Sequence, residues 1–143
     1  MVNGKEKKVT KVFRLKGKKK FKAEELCRKT FERIFDKKFP SCRPKFLKNP
    51  NTNYNLELDG YNPELQIAFE YSGKQHYEYP NIFHKTEKDF MSQVVRDTFK
   101  KKMCHLLKIN LIIIPYTVKY TDIPLYIEKR LKRMGLYNPV YGI

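Results

Sequence analysis

The chain has no tryptophan and only three cysteines, Cys27, Cys42 and Cys104, in 143 residues. Their odd number and the lack of CxxC spacing argue against a zinc ribbon or a disulfide framework, and favour a reducing compartment. No apolar run approaches the roughly 18 residues of a membrane span, and the N-terminus shows no apolar signal segment. We therefore expect an intracellular protein, in the cytoplasm or nucleus of a host cell, that is not secreted.

Acidic residues are scarce as well, with 15 Asp and Glu against 31 Lys and Arg, for a net charge of +16. Such an excess attracts polyanions, because each phosphate contact releases condensed counterions. A membrane surface is the competing partner, but no basic amphipathic helix with an aromatic face is recognisable. The composition therefore favours nucleic acid over a membrane as the partner.

The positive charge is concentrated at the start of the chain, where residues 1–22 hold ten cations against Glu6 alone. A run of this kind is a solvated tail, a localisation signal or an arm that grips phosphates. We predict a flexible basic arm over residues 1–20, with Lys18, Lys19 and Lys20 on phosphates, followed by a single domain over 21–143.

Hydrophobic spacing and turn formers predict the secondary structure. The predicted helices cover about 22–37, 89–107 and 122–134, the last ending at Gly135. The predicted strands are "LELD" at 56–59, "LQIAFEY" at 65–71 and "NLIIIPY" at 110–116.

The first two strands are expected to form a hairpin with a turn over residues 62–65, so that Asn62 faces Leu65. One face then carries Leu56, Leu58, Ile67 and Phe69, and the other carries Glu57, Asp59, Ala68 and Glu70. In this register Glu57 lies opposite Glu70, and Asp59 is a diagonal neighbour of Glu70, about 7–8 Å away.

Three carboxylates on one patch repel each other and raise one another's pKa. A divalent cation offsets this repulsion, and Mg²⁺ needs only one or two protein carboxylates besides water and phosphate. Each acid taken singly also fits an ordinary solvent-facing residue bridged by a lysine. The cluster as a whole, in a basic protein, favours a metal site.

The runs "LELDGYNPELQIAFEYSGKQHY" and "FMSQVVRDTFKKKMCHLLKINLIIIPY" resemble the PD-(D/E)xK, or restriction-endonuclease-like, nuclease superfamily. The sequence is similar to its "ExxGxQH" branch, small homing- and repair-type endonucleases of phages and large DNA viruses, over about residues 21–116. The resemblance implies an α/β fold with an αβββαβ core, a mixed sheet flanked by helices. It also implies a Mg²⁺-dependent endonuclease that hydrolyses DNA phosphodiester bonds, with Mn²⁺ able to substitute.

Carried over to this sequence, the motif aspartate is Asp59 and the motif glutamate is Glu70, both as metal ligands, with Glu57 as a further ligand. Many members have a lysine two residues after the glutamate, where this chain has Ser72. Gln75 takes that place if Gly73 forms a bulge that shifts side-chain parity. Without a bulge, Lys74 lies on the strand face that carries Glu70.

The resemblance implies further site residues around this motif. Glu24 in the first helix is a candidate catalytic acid, although a glutamate there also simply suits the helix dipole. His76 either contacts phosphate or acts as a base, or packs its ring near Tyr77. Arg43 and Lys45 are expected to hold phosphates.

The second predicted helix carries two stripes. Gln93, Asp97, Lys100 and Cys104 form one. We expect Gln93 and Lys100 to reach phosphate and Asp97 to pair with Arg96 or Lys100, the alternative being an ordinary i, i+3 ion pair on the surface. The other stripe is apolar and consists of Val95, Phe99, Met103 and Leu106.

Two other functions remain open at this point, a non-catalytic nucleic-acid-binding protein and an RNA-cleaving member of the same fold. Self-association as a homodimer is also open, because one active site cuts one strand. The first alternative leaves the acidic patch unexplained, since carboxylates weaken phosphate binding unless a cation intervenes.

Overall fold

In a computed structural model the described residues are 21–73 and 86–137, so the basic arm at 1–20 lies outside them. Three helices and three strands make up the described fold. They are α1 at 21–35, β1 at Gly60–Asn62, β2 at Ile67–Ser72, α2 at Glu87–Leu106, β3 at Asn110–Pro115 and α3 at Ile123–Arg133. Short 3-10 turns cover Lys45–Leu47 and Tyr120–Asp122.

The strands form one mixed sheet in the order β1-β2-β3. β1 pairs with β2 in antiparallel fashion, and β3 pairs with β2 in parallel fashion. Parallel neighbours need a crossover connection, which contains α2 here. The predicted mixed sheet flanked by helices is confirmed.

The three helices lie close to their predicted positions, because their signals are local. Thr86 caps α2, with its Oγ1 accepting a hydrogen bond from the Asp89 backbone N–H at 3.1 Å. Three basic residues occupy the last turn of α3, where cations suit the helix dipole. Gly135 follows with φ +73°, the left-handed conformation that ends helices.

Apolar residues pack on both faces of the sheet. The larger cluster joins α1 and α3 to one face, and its fully buried members include Phe31, Phe69, Ile112 and Ile127. The smaller cluster covers the other face with Leu47, Leu58, Ala68, Cys104 and Ile109.

The predicted hairpin register is wrong by two residues. Asn62 pairs with Ile67 instead of Leu65, so the turn covers residues 63–66. The reason is local: Gln66 adopts the left-handed conformation at φ 56°, and the Asn62 side chain accepts a hydrogen bond from the Leu65 N–H at 2.9 Å. A shift of two keeps side-chain parity, so Glu70 stays on the face predicted for it.

The predicted strand at 56–59 is also wrong, since only Leu58 makes a bridge there, to Cys42. Without strand alternation, Leu58 does not share a face with Phe69 as expected. It packs with Ala68 in the smaller cluster.

Both stripes of α2 contribute to packing against the rest of the fold. Cys104 is the buried residue of the helix and Lys100 lies one turn before it, so the stripe with polar residues faces the sheet. Val95 and Leu106 of the apolar stripe are 59% and 60% exposed, while Phe99 and Met103 pack against the smaller cluster. The apolar stripe is therefore only partly buried.

Gly60 lies where a side chain has no room. A Cβ at this position would overlap the buried Phe69 ring, with Cδ2 and Cζ only 2.6 Å away. We expect Gly60→Ala to lower the free energy of unfolding by about 2–3 kcal/mol, the usual cost of overpacking a core. Urea denaturation measures it, with Gly135→Ala as the comparison, since that site has open space and costs only about 1 kcal/mol of backbone strain. Equal losses for both variants would contradict this assignment.

Candidate functional site

Asp59 and Glu70 form a buried carboxylate pair at the end of the β1–β2 ladder. The Glu70 carboxylate accepts a hydrogen bond from the Asp59 backbone N–H, and the Asp59 carboxylate accepts one from the Tyr71 N–H, each at 2.8 Å. The two residues are only 6% and 9% exposed. Each carboxylate is therefore held by a backbone N–H at or next to the other acid. The two residues are closer in space than the diagonal neighbours that the sequence predicted.

Lys100 of α2 completes this group. Its Nζ lies 2.7 Å from Glu70 Oε1, and both side chains are nearly buried. Sequence analysis expected Lys100 on phosphate, whereas the structure pairs it with Glu70. Ser72, two residues after Glu70 on β2, carries no ammonium group, and Lys100 brings one to Glu70 from α2.

The environment of Glu70 disfavours its charge. Burial, followed by the negative charge of Asp59, raises the pKa of Glu70 to about 7, against the opposing pull of Lys100. Burial likewise raises the pKa of the Cys104 thiol to about 11 and that of Cys27 to about 12. These thiols stay protonated at neutral pH and are poor nucleophiles or metal ligands.

The raised pKa of Glu70 predicts a pH dependence of folding. A carboxyl group whose pKa is higher when folded binds more protons in the folded state, so its contribution to stability is complete below about pH 4.5 and is lost as pH rises through 7. We expect Glu70→Gln to raise the melting temperature relative to wild type more at pH 8 than at pH 5.5, without added metal. Glu64→Gln, at an exposed acid, is the control, and a difference that does not change with pH would contradict the prediction.

Arg28 of α1 holds the backbone at Asp59. Its guanidinium donates hydrogen bonds to the carbonyl oxygens of Asp59 and Phe39 and to Ser41 Oγ. It also stands over the Phe69 ring, 5.7 Å from the centroid. Sequence analysis missed this residue, and the available signal was the i, i+4 pair with Glu24.

Glu24, the predicted catalytic acid, takes part in that network. Its carboxylate lies 3.4 Å from Arg28 Nη2, and Glu25 pairs with the same guanidinium. Glu24 therefore lies on the α1 side of the carboxylate pair, linked to it through Arg28.

Glu57 does not join the pair. Its side chain is 45% exposed and lies 3.9 Å from Arg43, which also donates to the Asn55 carbonyl oxygen. Across 21–73 and 86–137, no three Asp, Glu, His or Cys side chains are arranged to hold a metal ion. The predicted patch of three carboxylates is therefore wrong, and the structure brings only two together.

A cavity of about 150 Å³ opens beside this group, with Glu70, Ser72, Asp97 and Lys100 among its lining residues. Asp97 accepts a hydrogen bond from Gln93 at 2.9 Å, and Gln93 accepts one from Arg96 at 3.0 Å. Gln93 thus links two charged side chains on α2, and its predicted phosphate contact stays a prediction.

The other predicted site residues lie elsewhere. Lys45 is exposed in the 3-10 turn. Lys74, Gln75 and His76, with Lys18, Lys19 and Lys20, lie outside the described residues, so the choice between Gln75 and Lys74 stays a prediction. No helix in the described part of the chain is both long and apolar enough to cross a membrane.

The fold and site define a mixed α/β protein with a buried Asp–Glu–Lys group. The chain is 46% identical over 111 residues to Uncharacterized protein 094L of Frog virus 3. The aligned region covers 77% of this chain and 70% of that protein. It is 43% identical over 113 residues to Uncharacterized protein 033L of Invertebrate iridescent virus 3, covering 79% of this chain. It is 46% identical over 105 residues to Uncharacterized protein 307L of Invertebrate iridescent virus 6, covering 70% of this chain.

The chain belongs to the family of these viral proteins. It spans 58% and 52% of the lengths of the 033L and 307L proteins. No protein-family model matches the chain, and no solved structure matches it significantly.

Proposed function

We propose that this protein is a Mg²⁺-dependent endonuclease that hydrolyses DNA phosphodiester bonds on a restriction-endonuclease-like core. The observation that carries the proposal is the contact between Asp59, Glu70 and Lys100 beside an open cavity. This is the set of groups that the PD-(D/E)xK resemblance calls for, two acids and an amine, although the amine comes from α2. The described elements α1, β1, β2, α2 and β3 follow the order of the αβββαβ core that the resemblance implies, with one strand fewer before α2.

The residues fit a magnesium ion. Two carboxylates suffice for Mg²⁺, which keeps several waters and takes further oxygens from substrate phosphate. Each carboxylate has about four acceptor positions, and no hydrogen bond from a described residue reaches Asp59 Oδ1. Asp59 and Glu70 would hold the ion, which when bound neutralises charge on the phosphate and lowers the pKa of a coordinated water.

The protein groups around the acids have separate tasks. Lys100 keeps positive charge at Glu70 and faces the cavity, where it stabilises negative charge that develops on the phosphate. Arg28 fixes the backbone that carries Asp59. Gln75 or Lys74 orients the attacking water, and Glu24 acts through Arg28 as a positioning residue.

A nucleic acid is the proposed substrate because of the charge distribution, and the resemblance specifies DNA. The net charge of +16 supplies counterion-driven affinity. Exposed Lys101 and Lys102 on α2 and exposed Arg43 and Lys45 near the turn place cations around the fold. The arm at 1–20 adds phosphate contacts, and a homodimer would allow both strands to be cut.

A cleavage panel tests the proposal. Fully paired, mismatched and branched duplexes, single-stranded DNA and RNA are incubated with the full chain and Mg²⁺ or Mn²⁺. We expect metal-dependent cleavage of DNA that EDTA abolishes. Binding without cleavage under every condition would instead support a non-catalytic nucleic-acid-binding protein, and cleavage of RNA alone would overturn the choice of DNA.

A further inference from the structure

A second and larger cavity lies on the opposite side of α2 from the candidate site. Its volume is about 400 Å³, and it runs between the turn at 49–52 and the first half of the helix. Leu56, Met91, Val95 and Phe99 give it an apolar lining. Met91 and Val95 are 49% and 59% exposed, so this lining is open to solvent. We call this cavity the α2 groove.

The rim of the α2 groove is polar and positively charged. The amides of Asn49 and Asn51 and the hydroxyls of Thr52 and Ser92 lie along it, together with two cations, Lys88 and Arg96. The rim therefore offers hydrogen-bond donors and acceptors beside positive charge.

The turn that forms one wall is held by its own hydrogen bonds. The Asn49 N–H donates to the Tyr54 carbonyl oxygen at 2.8 Å, and the Asn51 N–H donates to Asn49 Oδ1 at 2.9 Å. A bridge between Lys48 and Asn55 closes the turn. The wall is thus built before any ligand arrives, which lowers the entropic cost of binding.

We propose that the α2 groove binds one unpaired nucleobase of the nucleic-acid substrate. A base needs apolar or aromatic side chains against its faces, hydrogen-bonding groups at its edge and cations near its phosphate. The α2 groove provides all three, and its volume lies within the usual range for small-ligand sites. An apolar protein segment would use the apolar lining but would offer no negative charge to Lys88 and Arg96.

The two cavities are linked through α2. Arg96 lines the α2 groove and donates to Gln93, which donates to Asp97 in the cavity beside Glu70. A helix with its side chains is about 10–12 Å across. A base in the α2 groove would then lie a few nucleotides from the phosphate that is cut. This inference rests on the proposed function and narrows its substrate to nucleic acid with an unpaired base.

The test uses single-stranded DNA with one 2-aminopurine, whose fluorescence reports its stacking and burial, and the full chain in EDTA so that nothing is cut. The double variant Met91→Gln/Val95→Gln makes the lining polar without changing charge. Leu125→Gln is the matched control, since Leu125 is an apolar helix residue, 50% exposed, on α3. Fluorescence anisotropy measures total binding in the same samples, and circular dichroism checks the fold.

Wild type and Leu125→Gln should change the 2-aminopurine fluorescence on binding. The double variant should lose most of this fluorescence change. Its affinity for the single strand should fall by about 10-fold, within the range that base stacking contributes. Its affinity for a fully paired duplex should fall by less than about 2-fold. Wild-type binding without a change in 2-aminopurine fluorescence would overturn this inference alone, and so would a fluorescence change in the double variant equal to that of wild type. The α2 groove would then be assigned to a protein partner. Absence of any binding by wild type would remove the proposed function as well.

Discussion

Replacing Asp59 by asparagine is expected to abolish DNA cleavage and to leave DNA binding intact or tighter. Asparagine keeps an oxygen that accepts the hydrogen bond from the Tyr71 N–H, so the local backbone is retained. It removes the negative charge that would hold the metal ion, which should cost at least about 10²–10³-fold in rate, the scale of one preorganised electrostatic group. Binding should not fall, because one carboxylate fewer repels phosphate.

Cleavage and binding are measured on the same duplex with Mg²⁺ for wild type, Asp59→Asn and Asp122→Asn. Asp122 is an exposed acid before α3, and its variant should cut like wild type. Cleavage by Asp59→Asn at the wild-type rate would remove Asp59 from the site. Loss of both cleavage and thermal stability would mark a structural role instead.

Replacing Lys100 by methionine should have the next largest effect. The variant keeps a long side chain but removes the ammonium group at Glu70, and we expect cleavage to fall by about 10²-fold or more, as for a lost charge-stabilising or proton-transferring group. The affinity for the metal ion should not fall with the cleavage rate. Because the ammonium group competes with a cation for Glu70 Oε1, its removal should let Mn²⁺ bind at least as tightly as in wild type.

This pair of opposite changes separates a role in the reaction from a role in folding. Lys102→Met on the exposed side of α2 is the matched control and should change neither quantity appreciably. A Lys100→Met variant that loses metal binding and cleavage together would indicate a disrupted site. One that cuts normally would make the Lys100–Glu70 pair purely structural.

Local sequence signals predicted most of the fold. The helices follow from apolar spacing and end signals such as Gly135, and β3 follows from a continuous apolar run before Pro115. The pairing of Asp59 with Glu70 was also accessible, because hairpin parity survives an error of two residues.

The hairpin register and the contacts of Lys100 and Arg28 could not be predicted from sequence patterns. The left-handed conformation of Gln66 set the register, although glutamine is not a residue that favours it. Lys100 and Arg28 reach the site from helices 30 and 31 residues away from their partners in the chain. Such contacts are decided by how helices pack on the sheet, and no spacing rule within one element predicts them.

The hydrogen bonds of Arg28 have a consequence for the order of folding. The β1–β2 hairpin forms from neighbouring residues, but the loop that carries Asp59 is fixed by a side chain on α1, so the carboxylate pair is organised only after that helix docks. Contacts distant in the chain cost more loop-closure entropy to form, and parts of a fold can open separately from the rest. Local detachment of α1 would therefore release the loop that carries Asp59 and separate the carboxylate pair while the sheet remained folded. In hydrogen exchange, the amides of Asp59 and Tyr71 would lose protection together with those of α1, ahead of the other amides of β2 and those of β3.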